Sequence, residues 1–179
     1  MYTAKASSIG IALNRDIKPQ NIMLESDDNL DWPIKIVDFG LSTIFGTTAS
    51  SLCGTPIFMS PEIWQSKYYS ESSDVWSCGI LIFLLLNGSK CFSGINDMAT
   101  LKKTIKEGKI LDTVRGQLNF VSSDCLNILG LMLQNNYKMR SNIKELLAHK
   151  WFSIDISPSI PVDVQNSIIA NMQTYKVQN

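Results

Sequence analysis

NRDIKPQNIML (Asn14–Leu24) and IKIVDFG (Ile34–Gly40) carry the reading of this chain, with a polar stretch, Glu25–Pro33, between them. Ile22–Leu24 reads as a short strand, Glu25–Pro33 as a turn, and Ile34–Val37 as the returning strand. A two-stranded hairpin brings its open ends together. Asp16 and Asn21, on the loop entering the first strand, can therefore converge with Asp38, which leaves the second. Asp and Asn oxygens are hard ligands suited to Mg²⁺, an ion that bridges phosphate oxygens. A spare carboxylate beside that metal can orient a hydroxyl nucleophile.

Working outward, Asp38–Pro61 is rich in Gly, Ser and Thr and has little periodicity. A loop of that length inside a compact domain is usually functional or mobile. After Pro61 the signals turn helical. Ser72 and Ser73 offer N-caps, Asp74 sits in the first turn, and Asn87-Gly88 closes the helix. Further helices are expected at about 96–107, 122–133 and 141–149. Upstream, residues 1–10 read as the remnant of a helix. Downstream, Ser157-Pro158 and Pro161 mark a linker, after which Val164, Ile168, Met172 and Tyr175 form an amphipathic stripe. That stripe suits either a partner or packing back on the preceding residues, and packing is the preferred reading.

Composition narrows the class. Hydrophobic residues make up 45% of the 179 and charged residues 18%, enough for a core and too little charge for a disordered chain. Sixteen basic residues balance sixteen acidic ones, so no global attraction to nucleic acid or membrane is implied. The longest apolar run, Cys78–Leu86, is too short to span a bilayer and reads as a buried helix. The start, MYTAKASSIG, has no secretory pattern. A soluble, cytoplasmic protein with reduced thiols is expected. Cys53, Cys78, Cys91 and Cys125 are spaced for neither zinc nor a disulfide scaffold and read as packing residues. The single histidine, His149, reads as structural, so chemistry must run on carboxylates, Lys, Asn or hydroxyls.

NRDIKPQN (Asn14–Asn21) resembles the catalytic loop of eukaryotic-type serine/threonine protein kinases, and VDFG (Val37–Gly40) their metal-binding motif. GTPIFMSPE (Gly54–Glu62) is similar to the end of their activation segment. DVWSCGI (Asp74–Ile80) and RSNIKELLAHKWF (Arg140–Phe152) are similar to their later helical signatures, in the same order. Five motifs in register form a specific signal. The resemblance implies a mainly α fold: a kinase C-lobe over residues 11–152 with a small β-hairpin carrying the metal motif, followed by a linker and junction-like helix over 153–179. It implies that Asp16 handles the substrate hydroxyl proton, that Lys18 neutralises the transferring γ-phosphoryl of ATP, and that Asn21 and Asp38 hold Mg²⁺. Thr55 would brace Asp16 and Lys18 and shape the peptide site. Arg15 would pair with an activating phosphate on Thr47, Thr48, Ser50 or Ser51, although ordinary loop hydroxyls are an equal reading. Glu62 and Arg140 would form a buried ion pair, and Asp74 would hold the catalytic-loop backbone.

Departures from the family pattern stand beside these matches. Asn14 replaces the usual His, which questions the support of the metal motif. Gln20, Ser60, Cys91, Tyr137 and Lys150 are further changes. No Gly-rich phosphate loop, strand Lys or hinge precedes Asp16, so a missing N-lobe is the expected partner and the chain by itself is expected to be inactive. DFGLST and the tail VQNSIIANMQTYKVQN resemble the calcium-dependent branch, related to calmodulin-dependent kinases, which implies an EF-hand regulatory domain beyond the tail. Asp27-x-Asn29-x-Asp31 imitates a calcium loop, but Trp32 replaces the required Gly, so a solvated turn is preferred. The alternative to a kinase acting on protein substrates is a non-catalytic, pseudokinase-like or scaffold module.

Overall fold

A computed structural model describes residues 12–24, 34–44, 53–66, 68–88, 92, 95, 97–153 and 170. The expected N-terminal helix remnant, the Glu25–Pro33 turn with its calcium-loop imitation, the hydroxyls at 47–51, Cys91 and the stripe from Val164 to Tyr175 lie outside the described residues.

Among the described residues, two small antiparallel sheets precede six α-helices. Strand β1 (Ala12–Leu13) pairs with β4 (Thr43–Ile44), and β2 (Ile22–Leu24) pairs with β3 (Ile34–Ile36) in the register Ile22↔Ile36 and Met23↔Lys35. The second pair is the hairpin read from the sequence. The first was not anticipated, because two-residue strands leave no periodicity to detect. It ties the segment after Asp38 back to the residue before Asn14, through Leu13↔Thr43.

The helices are α1 (Pro61–Ser66), α2 (Glu71–Asn87), α3 (Met98–Lys106), α4 (Ile110–Gln117), α5 (Ser123–Met132) and α6 (Ile143–Leu147). Helix α2 begins earlier than the sequence reading placed it. Ser70, not Ser72 or Ser73, is its N-cap, and Ser73 closes a capping box by accepting the Ser70 N–H at 3.2 Å. Gly88 ends it with φ +61°, a left-handed value suited to glycine. Helix α4 is an addition. Its weak helix formers hide it, and Ile110 and Val114, one turn apart and both buried, define its inner face.

Helix α2 is the axis of the core. Trp76, Ile80, Phe83 and Leu84 are at most 1% exposed and meet Val114, Leu118, Leu129 and Leu133. Such packing makes Phe83 a position where truncation to alanine costs about 3–5 kcal/mol. Val75, Ile128, Met132 and Leu146 form an adjoining cluster that seats α6 against α2 and α5. Leu13, Met59, Ile63 and Tyr69 form a third beneath the catalytic-loop candidate. His149 is hydrogen-bonded to Asn127 at 2.9 Å and accepts the Trp151 N–H at 3.1 Å, a structural role. Cys78 and Cys125 pack in the core, and burial, with the Asp74 charge, pushes the Cys78 thiol up to about 12. No described helix is long and apolar enough to cross a membrane.

Candidate active site

The loop from Asn14 to Asn21 is held from outside before it does anything. Arg15 has φ +68°, a conformation that costs a non-glycine residue about 1–2 kcal/mol. Asp74, at the start of α2, accepts the N–H of Asn14 at 2.8 Å and that of Arg15 at 3.0 Å, fixing both peptides around the bend. Burial raises the Asp74 pKa, and the two N–H groups and the Arg15 charge oppose that rise. Gly54 packs against the same bend with φ +103°; a Cβ there would lie 2.6 Å from the Arg15 carbonyl oxygen.

Inside this frame Asp16, 7% exposed, is the hub. One carboxylate oxygen, Oδ1, accepts the Thr55 N–H at 3.0 Å and the Thr55 hydroxyl at 2.8 Å. The other, Oδ2, meets Lys18 Nζ at 2.6 Å and accepts from Asn21 Nδ2 at 3.2 Å. Lys18 Nζ also donates to Thr55 Oγ1 at 3.0 Å, and Asn21 Nδ2 to the Asp16 carbonyl at 2.8 Å. Burial pushes the Asp16 carboxyl up, but the bonds from Lys18 and Thr55 and the Lys18 charge outweigh it and hold the group below the ordinary carboxylate range. An ionised carboxylate, a cation and a hydroxyl thus share one small site.

Asp38 is placed beside this cluster without touching it. The Val37 N–H donates to the Asn21 carbonyl at 2.8 Å, which sets Asp38 next to the loop. Asp38 itself is exposed, has φ +63°, and uses Oδ1 to accept the Gly40 N–H at 3.1 Å. Asp and Asn tolerate this backbone region because a short polar side chain bonds locally. The donor set suits Mg²⁺, which takes one or two protein oxygens and keeps waters or phosphates for the rest. Asn21 spends its amide nitrogen on Asp16, leaving the carbonyl oxygen for a cation, and the exposed Asp38 supplies a carboxylate. Among the described residues no group of three His, Cys, Asp or Glu could hold a metal alone.

Arg15 is occupied. Its Nη2 contacts Cys53 Sγ at 2.8 Å and its guanidinium lies over the Tyr69 ring at 4.8 Å. Cys53 packs against the Leu13–Met59–Ile63–Tyr69 cluster and in addition makes this polar contact in the activation-segment candidate. Tyr69 was missed by the sequence reading: its hydroxyl donates to the Cys53 carbonyl at 2.7 Å and accepts the Cys53 N–H at 2.9 Å. No motif carries it, since the two residues meet only in the fold. Burial above all raises the Tyr69 hydroxyl to about 12.

Farther from the loop, Arg140 and Glu62 make a bidentate pair at 2.8 and 3.0 Å. The Arg140 side chain is fully buried; it also donates to the carbonyls of Ser72 and Gln134 and stacks on Trp76 at 5.1 Å. Glu62 additionally accepts from Ser73 Oγ at 3.0 Å. Burial raises its pKa, but the Arg140 bonds and charge win and hold it below the ordinary range.

A model of the protein kinase domain matches residues 10–152. The chain belongs to the protein kinase family. Calcium-dependent protein kinase 4 of Plasmodium berghei (strain Anka) is 33% identical over 165 residues, covering 86% of this chain and 30% of the relative. Calcium-dependent protein kinase 5 of Plasmodium falciparum (isolate 3D7) is 35% identical over 145 residues, covering 78% and 24%. Serine/threonine-protein kinase ATG1b of Arabidopsis thaliana is 33% identical over 143 residues, covering 79% and 20%. The chain thus spans less than a third of these relatives. As a kinase chain it is a mostly helical, C-lobe-like unit with its hairpin at one end, near the calcium-dependent branch.

Proposed function

We propose that this chain is the C-lobe of a serine/threonine protein kinase that transfers the γ-phosphoryl of MgATP to a hydroxyl of a protein substrate. The observation that carries the reading is the Asp16–Lys18–Thr55–Asn21 cluster, whose three hydrogen-bonded side chains all converge on one ionised carboxylate. Asp16 orients the Ser or Thr hydroxyl and takes its proton as the oxygen–phosphorus bond forms and the bond to the leaving ADP oxygen breaks. Lys18 offsets negative charge on the transferring group. Asn21 and Asp38 would hold Mg²⁺, which supplies charge neutralisation across the phosphates. Thr55 keeps Asp16 and Lys18 in register. Glu62–Arg140 and Asp74 act structurally, one clamping the activation segment and the other the loop backbone. Arg15 is the cation that an activation-segment phosphate would draw away from Cys53.

A nucleotide-binding half is the partner this lobe calls for. Ile34 and Ile36 share one face of β3 and, with Met23, Phe39 and Leu41, leave a set of large apolar side chains between 37% and 61% exposed around the hairpin. Apolar surface gathered in this way marks an interaction face. The unit 11–152 would act as the lobe, with 153–179 as linker and junction helix leading toward an EF-hand regulator, in the cytoplasm. The 179-residue chain alone would not turn over ATP, because the described residues provide no cover over the phosphates.

The test joins this chain to the nucleotide-binding half of a calcium-dependent protein kinase and follows γ-phosphate transfer to a Ser peptide. Transfer is expected from the fusion and not from the chain alone. Asp16→Asn should lower kcat at least about a thousandfold, as removal of a group acting in the transition state does. A folded fusion that binds MgATP without transferring phosphate would favour the scaffold reading.

A further inference from the structure

The residue before Arg15 departs from the family pattern, and it is not idle. Asn14 is 7% exposed, and its Oδ1 accepts the Asp16 N–H at 3.1 Å, bridging Arg15 with its own side chain. An Asn oxygen that captures the N–H two residues on closes an Asx turn, which stabilises a bend the backbone alone disfavours. The bend is real: Arg15 sits at φ +68°. A conformation of this kind persists only where its surroundings over-determine it.

The N–H groups around the bend show who determines it. Those of Asn14 and Arg15 go to Asp74, an outside clamp that stops one residue short of Asp16. The Asp16 N–H is served by Asn14. The Asn14 carbonyl in turn accepts the Ser42 hydroxyl at 3.4 Å, and Ser42 adjoins Thr43, which pairs with Leu13 across the β1–β4 ladder. Asn14 therefore lies between the backbone of Asp16 and the strand that follows the Asp38 motif. Its Nδ2 is buried and has no hydrogen-bond partner, so the acceptor half of the amide is the part the site uses.

We propose that Asn14 is a positioning residue for Asp16: its side-chain oxygen fixes the peptide that carries the carboxylate, in the place where ring packing by histidine is absent. The inference rests on the phosphotransfer reading for its consequence, but not for its geometry. Alanine at position 14 keeps both bonds to Asp74 and leaves the Asp16 N–H without an acceptor. Aspartate or serine keeps an oxygen within reach of that N–H and removes the unpartnered donor.

Amide hydrogen exchange of the ¹⁵N-labelled 179-residue chain tests the bond. With Asn14→Ala the Asp16 amide should exchange about fivefold faster, the factor one net hydrogen bond carries, while Leu129 in α5 is unchanged. Asn14→Asp or Asn14→Ser should restore slow exchange. Should alanine prevent folding, Asn14→Ser against Asn14→Val decides the same point. In the two-lobe fusion, Asn14→Ala should lower kcat about tenfold or more with KM for ATP unchanged, and the oxygen-bearing variants should recover it. Equal Asp16 exchange in wild type and Asn14→Ala, equal acceleration at Leu129, or no rescue by oxygen would each overturn the proposal. An inactive wild-type fusion would instead reject the phosphotransfer reading, with the exchange result still deciding the bond.

Discussion

Replacing Arg140 with alanine strands the carboxylate of Glu62 in the core. The guanidinium makes two bonds to Glu62, two to the Gln134 carbonyl and one to Ser72, and covers Trp76. Neither side chain has water to fall back on, since Arg140 is 0% and Glu62 5% exposed. Exposed ion pairs are worth about 0–1 kcal/mol, but removing one partner of a buried pair costs about 3–5 kcal/mol. Domains hold only about 5–15 kcal/mol in total, so this one change removes a large share. For a chain of this length the loss corresponds to a melting temperature lower by about 10 °C. Thermal unfolding followed by circular dichroism reads it directly. The pair's net worth is a separate quantity, because desolvation offsets its attraction. Arg140→Met with Glu62→Leu should therefore recover much of the loss, whereas Arg140→Met alone should not. A single alanine variant melting within about 2 °C of wild type would refute the buried-charge reasoning, because such a shift lies in the range of surface substitutions.

Two other predictions concern the same frame. Gly54→Ala forces a side chain onto φ +103° and within 2.6 Å of the Arg15 carbonyl oxygen. It should cost about 2 kcal/mol, read as a melting temperature about 6 °C lower; an unchanged value would show that the bend yields freely. The folded-state pKa values of Asp16 and Glu62 lie below their unfolded ones, so the unfolded chain binds more protons in the acid range. Their contribution is complete above the ordinary carboxylate values and is lost as pH falls through the lowered ones. Asp74, raised on folding, runs the other way: its contribution is present below the ordinary value and fades as pH rises through the folded one. Urea midpoints should therefore fall on acidification, and Glu62→Gln should flatten that slope while lowering the neutral-pH midpoint. Parallel acid slopes in both proteins would refute the assignment to Glu62.

Much of the hairpin was legible because strand signals at Ile22–Leu24 and Ile34–Val37 flank a polar turn, and hairpin geometry follows from local chemistry. The long helix α2 was equally visible, since its seventeen residues contain the apolar run Cys78–Leu86 and end at a terminal Gly. Short or weakly patterned elements escaped. The β1–β4 ladder has two residues per strand, and α4 shows its inner face only through Ile110 and Val114. Cys53 packs as its spacing suggests, but composition cannot reveal that Arg15 and Tyr69 also converge on it.

Sequence alone singled out Asp16, Lys18, Asn21 and Asp38 as the candidates for phosphoryl chemistry, because their order is a matter of residue type and spacing. Tertiary structure decided how they relate. It bonded Asp16 to Lys18, Thr55 and Asn21, left Asp38 exposed beside them, and gave the unfamiliar Asn14 a hydrogen bond to make. The reason is physical. Residue identity sets which bonds are possible, and Lys18 lies near Asp16 by sequence alone, whereas the Thr55 hydroxyl on its carboxylate and the Asp74 clamp on its loop come from residues that only folding brings near.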